Sequence, residues 1–296
     1  MGGGVDGMAA SGQDTARQDV TGLVVYKMTG SGNDFVMVDG RWGPGTAWPG
    51  EAIRALCDRR SGVGGDALVV VSAGDGAGRI RMTYFNSDGS RAPMCGNAAL
   101  CSAQLAREVE LSDGRETVLE TDAGEYRVAC VGRDRARLRI GRVGPPRRMP
   151  EVDLGPGEAD ASFVTVGVPH LVVLVDDVEA VDVGKRGREL RLHPALAPSG
   201  ANVNFVALAP TPDGRWPMRT YERGVEAETY ACGTGAVAAA TRLARSSLDE
   251  TGMRFQSRTG LAIGVEWECR GPDGGVLDGV WVEGQAQIVF RAVIDM

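Results

Sequence analysis

Short apolar runs entered through glycine turns dominate the hydrophobic pattern of this chain. Leu23-Val24-Val25-Tyr26 predicts a strand, and Thr29-Gly30-Ser31-Gly32-Asn33-Asp34 turns into a second, Phe35-Val36-Met37-Val38-Asp39. Ile53, Leu56 and Cys57 fall on one side of a helix over 52–59. Gly62-Val63-Gly64-Gly65-Asp66 leads into a strand from Ala67 to Val71, and Arg79 to Asn86 is a strand closed by the turn Ser87-Asp88-Gly89-Ser90. Arg133, Arg135, Arg137 and Arg139 alternate with Asp134, Ala136, Leu138 and Ile140. That two-residue period predicts a strand with one apolar face and one solvated arginine face. Two Cys-Gly pairs open small-residue runs, Met94-Cys95-Gly96-Asn97-Ala98-Ala99 and Ala231-Cys232-Gly233-Thr234-Gly235-Ala236. Glycine permits the tight entry and alanine propagates helix, so each cysteine should sit at a helix start.

The pattern occurs twice. Gly167-Val168-Pro169-His170-Leu171-Val172 parallels Gly32-Asn33-Asp34-Phe35-Val36-Met37, and Ala201-Asn202-Val203-Asn204-Phe205-Val206 parallels Gly64-Gly65-Asp66-Ala67-Leu68-Val69. Met218-Arg219-Thr220-Tyr221 parallels Met82-Thr83-Tyr84-Phe85, and Cys232 repeats Cys95 at the same offset of about 136 positions. A duplicated chain with runs of strands and one main helix per half is α+β, each half a strongly curved sheet around its helix. The halves meet at Gly144-Pro145-Pro146, which reads as the linker.

With 296 residues the chain is long enough for two domains. The net charge of −7 argues against nucleic acid or an anionic membrane as the main partner. No apolar run approaches the roughly 18–20 residues of a membrane span. Residues 1–21 are polar and glycine-rich, expected to be a disordered extension and not a signal peptide, which points to the cytoplasm. Six cysteines without a Cys-x-x-Cys pair, and only two histidines, fit free thiols in a reducing compartment and not zinc or a thioredoxin-like motif. Cys57, Cys101, Cys130 and Cys269 read as core residues, and His170 as structural.

Cys95 and Cys232 carry the chemistry. A helix N-terminus lowers a thiol pKa and binds anions through unpaired N–H groups. If the halves face each other across a cleft, the backbones of Gly96, Asn97, Gly233 and Thr234 can hold one carboxylate, with a thiol on either face of the carbon bearing it. A thiolate on one face removes the α-proton and the opposite thiol returns one, inverting the centre. No lysine sits in a Schiff-base context and no Gly-x-Gly-x-x-Gly opens a helix, so no cofactor and no metal are expected.

Gly32-Asn33-Asp34-Phe35, Phe85-Asn86-Ser87-Asp88-Gly89-Ser90, Met94-Cys95-Gly96-Asn97, Tyr221-Glu222-Arg223-Gly224 and Ala231-Cys232-Gly233-Thr234-Gly235 together resemble the diaminopimelate epimerase family, from about residue 23 to the C-terminus. The resemblance implies a cofactor-independent isomerase that interconverts LL- and meso-diaminopimelate, in lysine and peptidoglycan precursor biosynthesis. Cys95 and Cys232 would be its acid/base pair, and Asn33, Asn86, Asn202, Glu222 and Arg223 would bind substrate. It also implies that the last strand, near 287–296, returns to a first domain over 22–143, leaving 144–286 as the second. Val168 stands where the family usually has Asn, and Leu100 where it usually has Arg. A racemase of another amino acid on the same fold is the alternative substrate reading. A thiol redox protein using Cys95 and Cys232, and a Cys–His hydrolase, are the alternatives in class; a homodimer is left open.

Overall fold

The computed structural model describes residues 22–42, 44, 47–244, 251–271 and 275–295; the extension expected over 1–21 lies outside the described residues. The first half runs β1 (Leu23–Gly30), β2 (Asn33–Asp39), α1 (Gly50–Cys57), β3 (Ala67–Ala73), β4 (Arg79–Asn86), β5 (Arg91–Ala92), α2 (Gly96–Glu108), β6 (Thr117–Thr121), β7 (Gly124–Cys130) and β8 (Arg135–Val143). The second runs β9 (Arg147–Arg148), β10 (Glu158–Val166), β11 (Val168–Val175), α3 (Val183–Arg191), β12 (Asn202–Ala207), β13 (Arg215–Glu222), β14 (Ala227–Thr229), α4 (Gly233–Leu243), β15 (Gly252–Gln256), β16 (Ala262–Glu266), β17 (Cys269–Arg270) and β18 (Leu277–Gln285). A last strand, β19 (Gln287–Ile294), pairs antiparallel with β1. No described helix is long and apolar enough to cross a membrane.

The pairings repeat as the sequence blocks do. β2 is parallel to β3, β3 antiparallel to β4, and β4 parallel to β6, with β6, β7 and β8 following antiparallel. β11 is parallel to β12, β12 antiparallel to β13, and β13 parallel to β15, with β15, β16 and β18 following antiparallel. β8 and β18 then pair with each other and join the halves, among the described residues, into one 19-stranded sheet. This is the expected α+β duplication.

Each main helix is buried almost all round because its residues are small. α2 buries Ala98 through Ala106 and α4 buries Gly235 through Thr241, and both helices contribute to one shared core. Their few polar groups are satisfied: Ser102 Oγ donates to Ala98 O at 2.8 Å and Thr241 Oγ1 to Val237 O at 2.8 Å.

Three expectations are corrected. α1 begins and ends two residues early, because Asp58 leaves the helix with extended backbone and its Oδ1 accepts from Arg60 and Ser61 N–H. The arginine face of β8 is not merely solvated: Arg135 pairs with Glu283, and Arg137 and Arg139 lie over Trp281 at 4.4 and 5.9 Å from its ring centre. β18 supplies both partners, and nothing in the local pattern announces it. Finally, Cys57 and Cys101 are buried, but Cys130 is half-buried and Cys269 exposed at the start of a two-residue strand.

Candidate active site

A cleft of about 320 Å³ has walls from both halves. Its floor is the β8/β18 seam, where Leu138 lies in register with Val282. Above that floor the two main helices begin. Cys95 is the residue before α2, with φ −142° and ψ 121°, and Cys232 the residue before α4, with φ −133° and ψ 103°. Each cysteine is extended while its carbonyl already accepts the first helical bond, from Ala99 N–H at 2.9 Å and Ala236 N–H at 3.0 Å. Both side chains line the cleft, together with Gly96, Asn97, Gly233 and Thr234.

Buried polar groups hold the second helix start in place. A Cβ on Gly235 would come within 2.2 Å of Asn204 Oδ1, so only glycine lets α4 settle there. Asn204 is fixed in turn, accepting from Thr220 Oγ1 at 3.0 Å and approaching His170 Nδ1 with its amide at 3.2 Å. His170 is fully buried, and burial drives its pKa down to about 3, with the Arg223 charge acting in the same direction. It is a neutral structural imidazole, as its place in the strand-entry block implies.

On the opposite wall, Arg59 pairs with Asp66 at 2.7 Å, Asp66 accepts from Asn33 at 2.9 Å, and Asn33 accepts from Asn97 at 2.8 Å. Arg59 and Lys27 also pair with Asp34. Burial opposes ionisation there, but the hydrogen bonds from these two cations outweigh it and bring the carboxyl down to about 2. This run of charges and amides sets the direction of Asn33 and Asn97. Asn86 stands beside them, its amide donating to Ser90 Oγ at 2.9 Å.

The thiols are less acidic than their helix positions alone suggest, which corrects the expectation of lowered pKa values. Burial is the main cause at both. Cys232 is pushed up to about 12, the Glu222 carboxylate adding to burial while the Thr234 hydroxyl and the Gly235 and Thr234 N–H groups act against it. Gly235 N–H donates to its Sγ at 3.3 Å. Cys95 is also pushed up by burial and Glu222, against Ala98 and Asn97 N–H and the Tyr84 hydroxyl. Helix-terminal N–H groups favour the thiolate as expected, but desolvation is the larger effect. Glu222 itself is raised by burial, and it acts on both sulfurs.

Asn202 and Arg223 are not among the lining residues. Asn202 is buried and accepts from Arg223 N–H at 2.7 Å, and the Arg223 guanidinium reaches Ser199 O at 3.4 Å. The carboxylates that follow on this loop are engaged elsewhere, Glu226 with Arg191 and Glu228 with Arg219. Sequence reasoning missed Tyr84, Ser31 and Glu283 on the cleft wall. Tyr84 had a usable signal, since it lies two residues before Asn86 on the same face of β4. Among the described residues no group of three or more His, Cys, Asp or Glu is placed to hold a metal ion.

The profile of a family described as Diaminopimelate epimerase matches residues 25–148 and 162–276. A diaminopimelate epimerase of Gemmatimonas aurantiaca is 41% identical over 277 residues, 90% of this chain and 98% of that protein. The chain belongs to the diaminopimelate epimerase family. It is therefore an isomerase. Another diaminopimelate epimerase, of Chlorobaculum tepidum, is 33% identical over 91% of this chain and 100% of its own length. Distant solved structures share the fold of this family member. A phenazine biosynthesis protein of the PhzF family from Bacillus anthracis superposes with TM-score 0.65 at 14% identity, over 93% of this chain and 99% of that one. A probable proline racemase from Agrobacterium radiobacter K84 gives TM-score 0.61 at 16% identity, over 93% of each chain.

Proposed function

We propose that this chain interconverts LL- and meso-diaminopimelate without a cofactor, with Cys95 and Cys232 as the two proton carriers. One observation carries the reading: two cysteines, each at the start of a buried helix, line one cleft from opposite halves. The substrate α-carboxylate is assigned to the N–H groups at the starts of α2 and α4, where Gly96, Asn97, Gly233 and Thr234 lie. Asn33 and Asn86 bind the remainder of the substrate from the first half, and Glu222 from the second. Asn202 and Arg223 support that wall, Asn202 by holding the Arg223 backbone.

In the resting cleft both thiols favour their protonated form, so one must lose its proton before turnover. The α-ammonium of the substrate supplies a positive charge beside the sulfurs, which favours that ionisation. The thiolate then takes the α-proton and its electron pair stays on the carbon and carboxylate. The opposite thiol delivers its proton to the other face. Each turnover leaves thiol and thiolate exchanged, and the reverse reaction starts from that state.

The reading extends to organisation. The boundary between domains falls at 143/144, with 287–296 assigned to the first domain, and the protein works in the cytoplasm as a homodimer. Among the described residues β19 pairs with β1 alone and exposes Val289, Phe290 and Val293. Such an edge is self-complementary to a second copy about a twofold axis.

The deciding experiment is incubation with LL-diaminopimelate in D₂O. The expected result is meso product carrying α-deuterium; turnover of other amino acids but not diaminopimelate would shift the substrate and leave the two-thiol chemistry.

A further inference from the structure

The turn between β1 and β2 lies against the starts of both main helices. Gly30 and Asn33 pair across it, leaving Ser31 and Gly32 as a two-residue loop with φ +49° and +105°. Such a loop needs positive φ at both places, which glycine and asparagine take readily and serine does not. Ser31 is nevertheless buried there and lines the cleft. A Cβ on Gly30 would stand 2.9 Å from Cys101 Sγ and 3.0 Å from Asn97 O, so the strand end before Ser31 lies against the first turns of α2. Gly32, which follows, lies as closely against Tyr230, two residues before Cys232. Between these contacts the Ser31 hydroxyl accepts from Gln285 N–H at 3.0 Å, at the end of β18. Gly284 makes room for it, since a Cβ there would come within 2.5 Å of Ser31 Oγ.

The internal repeat separates what the fold requires from what has been added to it. Gly167, with φ +68°, stands where Gly32 does, and Val166 takes the place of Ser31. Val166 pairs with Val168 around that single glycine, so the second half closes the equivalent turn without a hydroxyl and without a second left-handed residue. The bond to Gln285 is therefore particular to the first half. We propose that Ser31 is a positioning residue, its bond to the β18 backbone clamping the turn so that Asn97 and Tyr230, and with them the two helix starts, keep the separation that proton transfer needs; this rests on the two-thiol reading above. A small displacement of either sulfur slows a step that depends on aligned donor and acceptor far more than it weakens binding.

The test compares Ser31→Ala with Ser31→Gly in the full chain. Both remove the hydroxyl, but glycine accepts the left-handed backbone and alanine does not, so Tm should be higher for the glycine variant. Both variants should lose kcat for LL-diaminopimelate by about tenfold whatever their Tm, with KM held within about threefold. Iodoacetamide should also alkylate Cys232, buried in the wild type, about three- to tenfold faster in both. Full kcat in the glycine variant, or a kcat that recovers as Tm recovers, would reduce the serine to a structural role and overturn the proposal. Alkylation of Cys232 at the wild-type rate would overturn it equally. Because alkylation needs no substrate, its acceleration in a protein inactive on diaminopimelate would support the clamp and overturn only the substrate.

Discussion

Leu138 on β8 lies opposite Val282 on β18, and each underlies the glycine that follows a cleft cysteine. A Cβ on Gly96 would stand 4.0 Å from Leu138, and one on Gly233 would stand 3.5 Å from Val282. The pseudo-twofold relation between the halves thus passes through the sheet seam. Apart from chain neighbours and the helices' own backbone, no other atom of the described residues comes within 4 Å of either added Cβ.

Because each face of the α-carbon then has a single proton carrier, Cys95→Ala and Cys232→Ala should each lower kcat by at least about a thousandfold. Conversion of LL- to meso-diaminopimelate measures it. Full activity in either variant ends the two-base reading.

Raised thiol pKa values predict a particular pH response. A raised value keeps the neutral thiol to higher pH, so alkylation of Cys232 should be slow near neutrality and still climbing toward about 12. A plateau near the usual thiol range would show that burial does not govern the acidity of Cys232.

Gly32 has φ +105°, and a Cβ there would meet Tyr230 Cβ at 2.6 Å. This contact joins the β1–β2 turn of the first half to the segment two residues before Cys232. Gly32→Ala should therefore destabilise by about 1–3 kcal/mol and also displace Cys232, reducing kcat/KM by roughly tenfold or more. Thermal melting and steady-state kinetics separate the two effects.

His170 predicts a stability slope. Between its ordinary value of 6.5 and about 3 the unfolded chain binds a proton that the folded chain refuses, so stability is fully present above pH 6.5 and drains as pH falls. His170→Gln should lower Tm overall yet flatten its dependence across that window. An unchanged slope would mean that the imidazole titrates in the folded protein.

For the proposed dimer, Phe290→Glu puts a charge on the exposed edge strand and should yield a monomer by sedimentation without loss of secondary structure. A dimer that survives the change places the interface elsewhere.

Much of this was legible in the residues. Period-two runs, glycine turns and an offset of about 136 are local or self-similar properties, so strands, helix starts and the duplication could be read without coordinates. The two cysteines stood out because the Cys-Gly block occurs twice, at equivalent places in the repeat. What the sequence withheld depends on partners distant along the chain. Whether a helix-start thiol is acidic turns on how much protein and which carboxylate surround it, and Glu222 reaches both sulfurs only once the halves close on one cleft. The arginines of β8 found Trp281 and Glu283 because β18 pairs with them from more than a hundred residues away. Tyr84 and Thr220 share a place in the repeat, but packing put one on the cleft wall and turned the other's hydroxyl to a buried amide. Periodicity determines which face a side chain takes; the fold decides what it meets there.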